Sequence, residues 1–255
     1  MRLTYTLRNS LLVVITLTLF SCSGKKEEFV TEPLSDFMVL QPGKYITYRL
    51  DSLVFTNFGK NTEIHRYQMK HEIDAELVDN LGRPSWRVYT YLRDSAGTEL
   101  WTPMGSYFIT PLAQRIEVTD DNLRVIKLQL PIHEGFQWNG NTYLPDQPYA
   151  EAYDFGNDND MKTWNFTYDA FEPVSTYQGH NYIDVRTIIQ QDDSFNVPVV
   201  DVSAYGYKTL AIEKYAKNIG MVYRKYEMWE YQPNISGANP YNTGFGVTLW
   251  MIDHN

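Results

Sequence analysis

The chain has a single cysteine, Cys22, among its 255 residues. No intramolecular disulfide is possible, so the fold rests on packing and hydrogen bonds, and the lone thiol has to be accounted for. Long apolar runs are missing too. The longest, Leu11 to Phe20, holds ten residues, whereas a membrane-crossing helix needs roughly 20. Positive charge is scarce: 22 Lys and Arg stand against 31 Asp and Glu, a net charge of −9. Such a chain repels phosphate backbones, which argues against nucleic-acid binding. It also has no basic patch to hold anionic lipid headgroups. The motifs G-x-S-x-G, H-E-x-x-H, Walker A and G-x-G-x-x-G are all absent. With them go the nucleophile elbow, the zincin helix and the phosphate-cradling loops, and no cofactor is expected.

What is present begins at the N-terminus. Arg2 and Arg8 precede the short apolar run, and Ser21, Cys22, Ser23 and Gly24 follow it. A positive start, a short apolar stretch and small residues describe a secretory signal peptide over residues 1–21. Leu19-Phe20-Ser21-Cys22 resembles the lipobox of bacterial lipoproteins, with Phe20 where a smaller residue is usual. That resemblance implies cleavage before Cys22, a diacylglyceryl group on its sulfur and acylation of the new amino terminus. One buried acyl chain anchors marginally, at about 0.8 kcal/mol per CH₂, and two or more hold firmly. Lipidation also accounts for the unpaired thiol. Ser23 stands where an Asp often marks inner-membrane retention, so the outer membrane is the expected address, on either its periplasmic or its outer face. Lys25-Lys26-Glu27-Glu28 reads equally as a short charged export tag, of the kind seen in Bacteroidota-type surface lipoproteins, or as a solvated tether. With residues 1–21 removed, Arg2 and Arg8 are lost and the net charge becomes −11. The expected membrane contact is therefore the lipid on Cys22.

Residues 22–36 form a polar tether, and a single domain is expected over 37–255. Its period is two. Across 63–78, His65, Tyr67, Met69, His71, Ile73, Ala75 and Leu77 alternate with Arg66, Gln68, Lys70, Glu72, Asp74 and Glu76. One face is largely apolar and the other charged, as in a half-buried antiparallel strand. Strands are likewise expected over 44–55, 85–93, 163–169, 182–190 and 221–231, and more weakly over 106–110, 114–119, 122–130, 207–215 and 247–252. Leu81-Gly82, Ala96-Gly97, Asn139-Gly140 and Gln178-Gly179 mark turns. One short helix is expected over 148–154, where Pro148 opens the run. The fold class is all-β: one antiparallel meander of roughly ten strands, curled into a half-barrel, barrel or sandwich, with at most one or two short helices.

Two segments resemble a group of Bacteroidota-type envelope lipoproteins. Residues 40–52 (LQPGKYITYRLDS) are similar to their "PLxxGxYWxYxxDS" opening, with Ile46 at the Trp position. Residues 213–222 (EKYAKNIGMV) are similar to their "ExYAxxxGLV" hairpin, with Met221 at the Leu position. The resemblance implies a β-rich, membrane-tethered domain. It carries no assigned chemistry, so no functional residue transfers.

Candidate sites are few. His65 and His71 lie six residues apart on one strand, some 20 Å at about 3.3 Å per residue, too far to share a metal. Asp154, Asp158 and Asp160 give a loop the oxygen density of a weak Ca²⁺ site, but without EF-hand spacing, and Asp and Asn are ordinary turn formers. Of six Trp, Trp86 and Trp164 fall on apolar faces. Trp138, beside Asn139-Gly140, is expected to be exposed, as are Tyr241 and Phe245 in a long loop over 232–246. These three are the candidate ligand contacts, because an exposed ring can stack on a sugar and long loops are often functional. Four readings stay open: a non-enzymatic binding or assembly protein with an envelope protein partner, a glycan-binding module, a hydrolase with spatially assembled carboxylates, and a lipid carrier if the sheet encloses an apolar cavity.

Overall fold

The structure is a computed structural model, and it describes residues 31–158, 160–233 and 239–255. Twelve strands follow in order: β1 (Tyr45–Thr56), β2 (Asn61–Val78), β3 (Pro84–Asp94), β4 (Thr102–Pro111), β5 (Arg115–Asp120), β6 (Leu123–Gln129), β7 (Gln137–Asn139), β8 (Asn165–Tyr177), β9 (His180–Phe195), β10 (Gly206–Ala216), β11 (Gly220–Gln232) and β12 (Tyr241–His254). All pairings are antiparallel, in the spatial order β6-β5-β4-β3-β2-β1-β12-β11-β10-β9-β8-β7. The chain is a meander with one long-range join, where β12 returns to pair with β1. The result is an all-β, nearly closed barrel. Among the described residues no helix is long and apolar enough to cross a membrane.

Tight turns set the register. Asp121 and Asn122 join β5 to β6 with φ of 46° and 62°, and Gln178 and Gly179 join β8 to β9 with φ of 50° and 82°. Two successive positive φ values match the strand twist, which is why Asp, Asn and Gly occupy these links. The barrel's seam lies where β6 meets β7. The Ile126 amide donates to Gly140 O (2.8 Å), and the Trp138 indole Nε1 donates to Ile126 O (2.9 Å). Gly140 is small because the Phe166 ring lies against it; a Cβ there would fall 2.4 Å from the ring.

β7 is the strand the sequence pattern does not show, being three residues long. The helix expected over 148–154 is not formed. A single turn is made instead, with the Tyr153 amide donating to Tyr149 O. This stretch belongs to a segment that packs into the end of the barrel where β12 begins. Tyr149 and Tyr153 each lie 5.2 Å from Phe245. Asn157 Nδ2 donates to the carbonyls of Lys208 and Trp229. The loop expected over 232–246 is shorter, because β12 starts at Tyr241. Residues 31–36, placed in the tether by composition, pack on the barrel. Glu32 pairs with Arg186 (2.6 Å) and Lys217 (2.8 Å), Asp36 O accepts from the Asn218 amide, and Leu34 and Phe37 are buried. The far end of the β8–β9 hairpin folds over the outer face, where Tyr177 packs on Tyr223 and Trp250 and the Tyr182 hydroxyl donates to Met251 O.

Candidate functional site: a cavity inside the barrel

The inward faces of the strands do not fill the barrel. A cavity of about 400 Å³ remains, within the range of roughly 300–1,000 Å³ typical of small-molecule sites. Its apolar wall is built by period two. Ile46 and Tyr48 come from β1, Met69 and Ile73 from β2, Val88 from β3, Ile109 from β4, and Val247 and Leu249 from β12. Met38, Met104 and Met221 add flexible, polarizable contacts of the kind that adapt to varied ligands. Lining residues that reach solvent form two groups: Asn218, His254 and Asn255 at one barrel end, and Met104, Gly105, Ser106, Asp120 and Asp121 beside the short β5–β6 hairpin.

Charged side chains interrupt this wall. On β11, Val222, Arg224, Tyr226 and Met228 share one face, so Arg224 occupies an inward position. Glu213 on β10 is fully buried. Its Oε1 accepts from Lys127 Nζ, the Tyr226 hydroxyl and Arg224 Nε, each at 2.8 Å, and its Oε2 accepts from the Tyr215 hydroxyl at 2.8 Å. The Tyr226 hydroxyl lies 2.7 Å from Gln190 Oε1. Burial raises the Glu213 carboxyl, but the fields of Lys127 and Arg224 and the hydrogen bonds outweigh it and hold the pKa at about 2. Burial pushes the Lys127 ammonium down, with Glu213 opposing. Burial also acts against the Arg224 charge, but Glu213 more than offsets it and the guanidinium is held cationic. Deep as it is, the Arg224 side chain keeps 25% of its surface accessible. The protein surrounds this side chain, and the accessible part faces the cavity that it lines.

His71, on β2, lines the cavity between Tyr48 and Tyr107, with ring centroids 5.1 and 5.4 Å away. Its Nδ1 is 3.1 Å from the Tyr107 hydroxyl. Burial and the Arg224 charge lower its pKa to about 3. At neutral pH it is therefore an uncharged hydrogen-bonding group.

The residues singled out in the sequence fall elsewhere. Cys22 lies outside the described residues. Trp138, expected to be exposed, is 5% exposed, because it closes the seam and its Nε1 is committed to Ile126 O. Tyr241 is exposed at the start of β12, while Phe245 points inward against Tyr149 and Tyr153. Asp154 and Asp160 are exposed, whereas Asp158 is buried and its Oδ2 accepts from the Tyr149 amide. Among the described residues no three His, Cys, Asp or Glu side chains converge as a metal site. His65 and His71 separate as their spacing requires, one exposed and one in the cavity wall. Sequence reasoning missed Lys127, Glu213 and Arg224. The signal was there for two of them: Arg224 breaks the apolar face of β11, and Glu213 opens the "ExYA" segment.

The fold and site together define a class: a nearly closed antiparallel barrel with an interior cavity whose mostly apolar wall is interrupted by a buried Lys127–Glu213–Arg224 cluster. No protein-family model matches the sequence, and no curated protein matches it. Among solved structures, an inferred exported protein with a YmcC-like fold from Bacteroides fragilis is similar, at TM-score 0.37 and 11% identity, covering 85% of this chain and 99% of that one. A likeness at that level carries no argument about this chain's activity.

Proposed function

We propose that this chain is a lipid-anchored protein of the bacterial cell envelope, set on the outer membrane through Cys22, whose barrel binds a small amphipathic molecule. The cavity carries this reading. A mostly apolar space of about 400 Å³, lined by methionines and β-branched residues, suits an alkyl chain or another apolar body. Of the three rings offered for glycan stacking, Trp138 is buried and Phe245 packs against Tyr149 and Tyr153, which leaves Tyr241 exposed by itself. The lipobox resemblance at Leu19 to Cys22 and the acidic domain, with its lack of a basic membrane-binding face, support the anchor.

The test uses the chain from residue 23 onward. Its whole buried core lies between Leu34 and Met251, so it carries what it needs to fold. N-phenyl-1-naphthylamine is an uncharged apolar dye that brightens on leaving water. Saturable one-to-one binding is expected, weakened about tenfold or more in Met69→Trp, which puts extra bulk into the cavity and so loses the bound apolar area. A folded wild-type protein that leaves the dye dark would end the cavity reading. For the anchor, full-length Cys22→Ala should lose lipid labelling. If it remains in the membrane fraction as a cleaved, mature chain, the lipobox reading is wrong.

A further inference from the structure

We infer that Arg224 receives the anionic head of the bound molecule, and that this head is a single carboxylate on an apolar chain. The inference rests on the cavity reading above and names the ligand class. Its basis is a count of charge and hydrogen-bond capacity in the barrel wall. Lys127 and Arg224 bring two positive charges and Glu213 brings one negative charge. Asp120, at the end of β5, Asp121 in the turn after it and Lys44 also line the cavity nearer its mouths; Asp120 feels the Lys127 and Arg224 charges but pairs with neither within 4.0 Å. The buried cluster of Lys127, Arg224 and Glu213, taken by itself, is therefore one positive charge in excess.

Donors are in excess as well. Both oxygens of Glu213 are occupied, Oε1 three times over. Arg224 carries five N–H donors, and among the described residues only Nε and Nη2 meet a partner, both on Glu213. The rest of the guanidinium, with a quarter of the side-chain surface accessible, faces the cavity. A guanidinium with free N–H groups matches the two oxygens of a carboxylate in a fork geometry.

Charge decides between carboxylate and phosphate. A carboxylate brings one negative charge and balances the buried cluster, whereas Asp120 and Asp121 on the same cavity make any further negative charge less welcome. A phosphate monoester brings about −1.5 to −2 at pH 7 and would leave negative charge in a buried site, which is costly. The rest of the wall takes the apolar chain: Met69, Ile73, Val88, Ile109, Val247 and Leu249 line the same cavity.

The experiment compares three twelve-carbon ligands by calorimetry on the chain from residue 23, below their micellar concentrations: dodecanoate, dodecan-1-ol and dodecyl phosphate. Dodecanoate should bind one to one and about tenfold or more tighter than the alcohol, in keeping with a hydrogen bond to a charged group. Dodecyl phosphate should be the weaker of the two anions. Arg224→Met should bring dodecanoate and dodecanol to similar affinities. Lys225→Met, the adjacent cation on the outward face, should leave the preference unchanged. Equal binding of acid and alcohol by the wild type overturns the inference while leaving the cavity reading intact. Binding of neither removes both. Tighter binding of the phosphate overturns the carboxylate assignment. The wild-type comparison stands even if Arg224→Met fails to fold.

Discussion

Among the described residues Glu117 and Glu213 are the two most deeply buried glutamates, and they sit on opposite sides of the barrel wall. Glu117 on β5 is 1% exposed and Glu213 on β10 is 0% exposed. Glu117 lies between Ile116 and Val118; Val118 lines the cavity, so Glu117 points outward. Its partners are Arg83 (3.3 Å), Arg115 (2.8 Å) and Arg124 (3.9 Å), and these side chains are 22–35% accessible at the outer surface. Two of them also lie near the Tyr143 ring. Glu213 has Lys127, 8% accessible, and Arg224, whose open surface faces the cavity. The acid is the same, but the freedom of the cations differs. Outside, arginines cover a carboxylate and can swing back into water. Inside, the cations have no bulk water to return to. The outer cluster fastens the wall, and the inner one presets charge in a space built for another molecule.

The strongest test of that contrast removes each acid in turn. Glu213→Ala leaves Lys127 and Arg224 buried without a counter-charge, which should cost about 3–5 kcal/mol of folding stability. Glu117→Ala frees arginines that can rehydrate, so its cost should be about 1–2 kcal/mol. Urea denaturation measures both. Equal losses would mean that the inner cations find water after all, and the distinction between the clusters would fall.

A second test uses acid. Glu213 has its folded-state pKa depressed from 4.5 to about 2, although burial by itself would raise it. An acid with a depressed folded pKa stabilises the fold above its unfolded value, and that contribution disappears as pH falls through the folded one. The relevant window therefore runs from about pH 4.5 down to about 2. Unfolding followed across this window should show a steeper loss in the wild type than in Glu213→Gln, which has no proton to gain. Matching slopes would show that Glu213 is not held ionised.

How far the sequence reveals this molecule differs between fold and site. The strands are legible because a barrel wall has one wet and one dry face, which writes period two into 63–78 and 221–231. The turn at Gln178-Gly179 is legible because its backbone demands positive φ. β7 is hidden because three residues carry no period. The start of β12 reads as loop because Gly244 and Gly246 suggest one, yet each is needed for a close approach. A Cβ on Gly244 would lie 2.2 Å from Met228 O, and one on Gly246 3.0 Å from the Leu53 side chain. Trp138 misleads for a different reason: its neighbours Asn139 and Gly140 do mark a turn, but that turn sits at the seam. The site is the least legible part. Lys127, Glu213 and Arg224 lie on β6, β10 and β11, and only barrel closure brings β6 across to β10.

The smallest expected effect concerns His71, on the β2 wall of the same cavity. His71 has its folded pKa lowered from 6.5 to about 3 by burial and by the Arg224 charge. The unfolded chain binds a proton on this ring below pH 6.5, and the folded chain does not until about pH 3. Neutral His71 therefore supports the fold above pH 6.5, and its contribution is lost as pH falls through that window. The upper part of the window, from 6.5 to 4.5, lies above the one governed by Glu213, so the two can be read separately. His71→Phe keeps a ring between Tyr48 and Tyr107 and gives up the hydrogen bond to Tyr107, at a cost of about 0.5–1.5 kcal/mol at pH 7. The informative quantity is the change in stability between pH 7 and pH 5. The wild type should lose more over that interval than His71→Phe. An unchanged difference would place the imidazole in contact with enough water to accept a proton, and the cavity would then be wetter on that wall than its apolar lining implies.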